Sequence, residues 1–388
     1  AARLLQAGDL SRARTLLEQL LSSHPGLADA YWLLGGVLMR SGDFPRAERA
    51  VATAIRLAPG NPSAHALLGE ILACRNRMED AERAVRQALA LAPAHPQAVS
   101  LLLRVLVAQG RYPDALQFAD GLIASGRGGG EVLLARAQAL AALHRAAEAV
   151  QAFRAAVAAL PGDARAVLGL AASLHDAHQH GPAEILLREA IGKGADTPEA
   201  RYLLGRILFA QRRPEEAETE FRRALAARRN YAAAQTILAE SIWMRTGDSE
   251  AALVELDAAL QADQGNVELR TFKAKLLEWA GRQQAALAEL EAGLKLDAGN
   301  AVLHGAAAQT ALKLDPGRAL RHAQDALRGG VHTPVLLSAC GNALLANGRA
   351  AEAAEISERM LALDPHDGHA IVLRASALVK HREAQKEL

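Results

Sequence analysis

Aromatic residues are scarce in this chain. They make up 3% of its 388 residues, although hydrophobic residues as a whole make up 51%. Ordinary globular cores lean on Phe, Tyr and Trp for buried area, so the scarcity argues against two or three compact domains of that kind. A surplus of one charge is also lacking. Lys and Arg number 44 against 43 Asp and Glu, a net charge of +1. That balance excludes a broad polyanion-binding surface and speaks against nucleic acid as a partner. No stretch approaches the length of a membrane span, and even the apolar run Ala98–Leu106 is broken by Arg104. Cysteine is nearly absent. Cys74 and Cys340 stand far apart, give no disulfide framework and read as two isolated buried thiols.

What is abundant is Ala, at more than a fifth of all positions, together with Leu. Both favour helices, and small residues at contacts let helices pack closely. The arrangement is periodic. Pro25, Pro59 and Pro93 are spaced by 34 residues, as are Ala13, Ala47, Ala81 and Ala115. Ala149, Ala183 and Ala217 keep the same register. One residue is inserted around Thr246–Glu250 and one is lost between Ala311 and Ala319, after which Ala353 resumes the original phase. Repeats therefore start at residues 28, 62, 96, 130, 164, 198, 232, 267, 301, 334 and 368. Residue 1 falls at the eighth position of an earlier repeat, which leads us to expect array residues upstream of it. By the same register Leu388 falls in the second helix of the last repeat, and the segment 378–388 is expected to form a polar cap.

Each unit reads as two helices joined by a polar turn such as Ser41-Gly42-Asp43 or Asn347-Gly348-Arg349. Glycine there adopts the left-handed conformation that closes the first helix. Proline between units stops the second helix, because its ring and missing N–H cannot continue the ladder. In residues 28–61 the pattern comprises Tyr31, Leu34-Gly35, Leu38, Ala47, Val51, Ala54 and Pro59. In 62–95 it comprises His65, Leu68-Gly69, Leu72, Ala81, Val85, Ala88 and Pro93. These units resemble the tetratricopeptide repeat, over essentially the whole chain. The resemblance implies an all-α fold, a right-handed α-α superhelix (solenoid) of about ten full 34-residue repeats with partial repeats at both ends. A thin core shared between neighbouring helix pairs would explain why Ala and Leu suffice. The segment Ser125–Gly130 replaces the usual proline turn. It reads either as a relaxed loop or as a hinge dividing 1–124 from 131–388 within a single solenoid.

Catalytic signatures are missing. The sequence holds no HExxH, no Gly-x-Ser-x-Gly and no Walker-type loop. His175, His178 and His180 cluster at a helix end, but no carboxylate or Cys completes a ligand set, so they read as a surface turn. Paired carboxylates such as Glu215-Glu216 sit at second-helix starts, where the helix dipole favours them. No cofactor, no metal and no enzymatic activity are expected.

The resemblance implies binding through a concave face lined by positions 2, 5, 6, 9, 12 and 13 of the first helices. Two specialised modes do not fit. A clamp for chaperone C-terminal carboxylates needs Lys and Asn where the first full repeat has Trp32 and Gly36. An asparagine ladder at position 6 is replaced by apolar residues such as Leu33, Leu67, Leu101 and Leu203. The aromatics, however, are unevenly spread, with seven of thirteen between Tyr202 and Trp279. Tyr202, Phe209, Trp243, Phe272 and Trp279 fall at inward positions, beside Arg206, Glu240 and Lys275. Aromatic anchors next to Arg have the composition of a binding hot spot, and the alternative is that they fill gaps between helices. The expectation is a non-catalytic scaffold for a protein or peptide partner. Two other roles remain open: the substrate-recruiting arm of a larger glycosyl-, sulfo- or hydroxyl-transferring enzyme, and a periplasmic assembly factor for polysaccharide secretion.

Overall fold

The structure, a computed structural model, describes residues 9–330 and 333–386. Among these residues there are 22 α-helices and no strand. The fold is all-α, and its helices keep the register of the sequence. First helices begin at Ala28, Pro62, Pro96, Gly130, Ala164, Pro198, Ala232, Val267, Ala301, Pro334 and Gly368, the eleven repeat starts.

Local chemistry sets these boundaries. Asn61 accepts the backbone N–H groups of Ser63 and Ala64, with Pro62 in the first turn of the helix it opens. Thr197, Asn266 and Asn300 cap later first helices in the same way. Between the two helices of most units the chain passes through a left-handed residue, the unit from Ala301 turning without one. The residue is glycine at Gly42, Gly110, Gly281 and Gly348, and it stays left-handed where Asn76, His144, His178 and Arg212 stand instead. The repeat register, not the residue type, fixes the turn.

Packing explains the recurrent small residues. The alanines at 13, 47, 81, 115, 149, 183, 217, 252, 286, 319 and 353 are all fully buried. A Cβ on Gly69 would stand 2.5 Å from the Val85 side chain, and one on Gly205 2.5 Å from the Phe221 ring. The two helices of a unit therefore cross at the glycine, and nothing larger fits there. The chain divides into two compact units, with the boundary between Ala190 and Ile191. The Ser125–Gly130 segment lies inside the first unit. Its Gly126 is left-handed, and the Arg127 N–H donates to the Leu122 carbonyl over 2.8 Å.

Two expectations need correction. Cys340 is buried, and burial pushes its thiol up to about 11, but Cys74 is exposed. Cys74 is the last residue of its first helix, where position outweighs the usual preference of cysteine for the interior. The last repeat does not turn. One helix runs Gly368–Lys386, because nothing between Ala377 and Lys386 offers a glycine, Asn or Asp to close it. Of the expected cap, the described side chains Leu378, Val379, Lys380, His381 and Arg382 are all exposed. Residues 387–388 of the expected cap lie outside the described residues.

Two histidines meet in the interior of the second unit. His304 and His322 face each other with Nδ1 atoms 3.1 Å apart. His304 Nε2 meets the Ala298 carbonyl at 3.0 Å, and His322 Nε2 lies 3.3 Å from Glu291, which also pairs with Arg318. Burial holds the His322 imidazole below its ordinary range, with His304 and Arg318 adding to the effect against the pull of Glu291. The folded state thus prefers neutral His322, while the unfolded chain takes up a proton once pH falls below about 6.5. That stability is present above this pH and is lost as pH falls toward the lowered folded value. The thermal midpoint should be lower at pH 5.5 than at pH 7.5, and the difference should shrink in His322→Gln. An equal pH dependence in the variant would exclude this source.

Candidate partner-binding site

In the first unit a groove of about 740 Å³ runs along the first helices. Apart from His95 and Pro96 at one helix start, its walls are residues at positions 2, 5, 6 and 9 of five successive repeats, which belong to the concave set read from the sequence. Trp32, Leu33, Leu67 and Leu101 form an apolar floor. Gly36, Glu70 and Arg104 occupy position 9 of three neighbouring first helices. Arg165 and Glu131 bound the far end and pair with each other at 2.6 Å. At the edge, Ser63 Oγ meets His95 Nε2 at 3.0 Å, while His95 Nδ1 accepts the Ala98 N–H at 3.3 Å. The backbone N–H contact makes Nδ1 the acceptor, so Nε2 carries the hydrogen and donates to Ser63.

This groove is missing from the sequence-based expectations, where Trp32 and Gly36 figure only against a carboxylate clamp. Its signal in the sequence is the tandem Gly35-Gly36 beside a lone Trp.

Of the eight residues singled out in the second unit, Tyr202, Arg206, Trp243, Phe272 and Trp279 gather around aromatic rings in two groups. Trp243 and Trp279 stack with ring centroids 4.7 Å apart and planes within 12°. Phe272 meets Trp279 edge-on at 6.3 Å. The three rings come from helices Ala232–Thr246 and Val267–Trp279, and Trp279 remains 50% exposed. Lys275 is exposed on the same helix, and Glu240 is half-buried. In the other group Tyr202 packs on Tyr231 at 5.0 Å and on Phe221 at 6.1 Å, with the Arg206 guanidinium 5.9 Å from its ring centre. Burial raises both tyrosine hydroxyls above their ordinary range, so they are neutral hydrogen-bonding groups at physiological pH. Phe209 is half-buried and makes no ring contact among the described residues.

Helix Val267–Trp279 also takes part in an ionic network the sequence did not disclose. Glu289 pairs with Arg270 and lies 2.6 Å from Lys273, which also reaches Asp257 at 2.7 Å. Burial pulls the Lys273 ammonium down, but hydrogen bonds to Asp257 and Glu289 outweigh it and hold the group above its ordinary range.

The histidine cluster brings His175 Nδ1 within 3.2 Å of His180 Nδ1, with His178 at the left-handed turn. Among the described residues no group of three or more His, Cys, Asp or Glu is gathered as a metal site. No helix among them is long and apolar enough to cross a membrane.

Comparison with known proteins agrees with this architecture. The sequence profile of a tetratricopeptide repeat family matches residues 4–71, 75–139 and 174–240, just over half of the chain. A tetratricopeptide repeat protein from Parabacteroides merdae is similar in structure, with a TM-score of 0.51 at 18% identity. The match covers 62% of this chain and 95% of that one. The pilF protein of Pseudomonas aeruginosa gives a TM-score of 0.47 at 19% identity, over 55% of this chain and 97% of its own. No curated protein matches the sequence. With its repeat starts, buried alanines and left-handed turns in one register, the chain belongs to the tetratricopeptide repeat family.

Proposed function

We propose that this protein is a non-catalytic interaction scaffold that captures a peptide or protein partner, with the groove of the first unit as its principal site. The observation that carries this reading is the groove itself. It is a concave space of about 740 Å³, apolar along its floor and polar at its rim, built almost entirely from equivalent positions of successive repeats. Such a surface suits an extended segment, whose side chains meet one helix after another. A second contact surface is the stacked Trp243–Trp279 pair with Phe272, Lys275 and Glu240, together with Tyr202, Arg206 and Phe209 of the same unit. Half-exposed stacked indoles are unusual as pure core and are the residue type that dominates binding energy.

The two surfaces are separable by mutation. Affinity capture with the intact protein, read by mass spectrometry, should give partners lost from Ser100→Arg, which fills the groove, and partners lost from Trp243→Ala/Trp279→Ala. Helical circular dichroism should persist in both. A set of captured proteins unchanged by either variant would overturn the proposal.

A further inference from the structure

Two adjacent glycines in the first groove helix have different reasons to exist. A side chain on Gly35 would collide with Val51, so packing demands that glycine. Nothing demands the next one. A Cβ on Gly36 would meet only Leu67 Cδ2, at 4.0 Å, and its backbone is ordinary helix. Glycine within a helix weakens it by about 1 kcal/mol relative to Ala. Helical side chains lean toward the N-terminus, so a residue at 36 would lie over the turn that carries Trp32. Gly36 therefore leaves the Trp32 face uncovered, opening a slot walled by Leu33 and Leu67.

The same repeat position on the next two helices carries opposite charges, Glu70 and then Arg104. Neither forms an ion pair or hydrogen bond among the described residues. Elsewhere arginines pair as a rule. Arg77 joins Glu48 and Asp80, Arg111 joins Glu82 and Asp114, and Arg165 joins Glu131 and Asp163 within this same unit. Two unpaired, opposite charges side by side in a groove leave complementary charges to be supplied by the occupant.

Resting on the groove reading above, we infer that the occupant is an extended peptide carrying an apolar, a basic and an acidic side chain at even steps, to meet the Gly36 slot, Glu70 and Arg104 in that order. Neighbouring packed helices stand about 8–10 Å apart, and a chain extended as polyproline II advances about 3.1 Å per residue with about three residues per turn, so every third side chain faces the groove. One helix step then spans about three residues. The motif is an apolar residue, a Lys or Arg three positions along, and an Asp or Glu three beyond that.

The test uses the full chain and fluorescein-labelled synthetic peptides of otherwise Gly-Ser sequence, read by anisotropy. One peptide carries Leu, Lys and Asp at three-residue steps, with its sequence reversed as a companion. A second exchanges Lys and Asp, and a third has Ala for Leu. The better of the first two should bind about tenfold tighter than the exchanged or Ala peptides. Gly36→Leu should lose that binding while its thermal midpoint stays level or rises, because the slot is filled and the helix strengthened. Glu70→Lys/Arg104→Glu should reverse the preference in favour of the exchanged peptide. Equal binding of both charge orders, with loss in Gly36→Leu, would overturn the charge reading and leave groove capture standing. Binding of these peptides unaffected by Gly36→Leu, or no binding of any of them, would overturn both.

Discussion

Phe221→Ala is expected to destabilise the second unit by about 3–5 kcal/mol, the usual loss for an aromatic ring deleted from a sealed core. Phe221 is fully buried, and its ring fills the space that Gly205 leaves between the two helices of the 198–231 repeat. The pairing gives the prediction a sharper form. In the wild-type chain Gly205→Ala puts a Cβ 2.5 Å from the ring, and overpacking of this kind costs about 1–3 kcal/mol. Once the ring is gone the same Cβ has room, and Ala is the better helix former by about 1 kcal/mol. Gly205→Ala should therefore destabilise the wild type and stabilise Phe221→Ala, a reversal that a double-mutant cycle reads directly. Urea unfolding of the intact chain is the measurement, with loss expected first in the affected unit because repeat arrays unfold in parts. The same sign for Gly205→Ala in both backgrounds would refute the contact. Phe221 also backs Tyr202 at 6.1 Å, so the variant should loosen that part of the proposed contact surface.

How far the sequence disclosed this molecule follows from what a repeat can encode. Register is a property of many residues at once, so the helix starts survive local departures. Arg212 and His144 replace the turn glycine, and the turn stays where the phase puts it. The buried alanines follow the inserted and deleted residues without error for the same reason. Individual side chains are less constrained. Residue type alone places Cys74 in the interior, yet it ends a first helix and is exposed. The last repeat lacks a turn residue, and helix propensity carries the chain straight on to Lys386. The division between Ala190 and Ile191 falls where Ala183 and Ala217 hold their phase, so periodicity is silent about it. The candidate site was legible in composition but not in arrangement. Uneven spacing of aromatics marks Trp243 and Trp279, whereas the groove depends on a side chain that is missing at Gly36 and on charges left without partners. Contacts between helices are only partly periodic: Glu289 with Arg270 repeats Glu220 with Arg201 two repeats earlier, but Lys273 joins in the later repeat alone.

That network supplies the second large effect. Glu289 is the shared anion between two cations on the preceding first helix, Arg270 and Lys273, and the three side chains are 14%, 11% and 16% exposed. Removing it leaves two largely buried positive charges facing each other. Arg270 keeps only the Gln264 carbonyl at 2.8 Å, and Lys273 keeps the more exposed Asp257. Breaking a buried pair by deleting one partner costs about 3–5 kcal/mol, mainly from the charge left behind. Glu289→Ala should lie near the lower bound, at about 3 kcal/mol, since some water reaches the site. Replacing the anion and its closest cation together, as Glu289→Leu/Arg270→Leu, should recover most of the loss, because an apolar pair of similar volume leaves no unpaired charge. The consequence reaches the surface. Arg270 and Lys273 belong to helix Val267–Trp279, which also presents Phe272, Lys275 and Trp279. An unanchored helix should disturb the stacking of Trp279 on Trp243, so tryptophan fluorescence of Glu289→Ala should change under native conditions and return in the double variant. If Glu289→Ala costs less than about 1 kcal/mol, the network is a surface ion pair in its energetics and does not hold this helix.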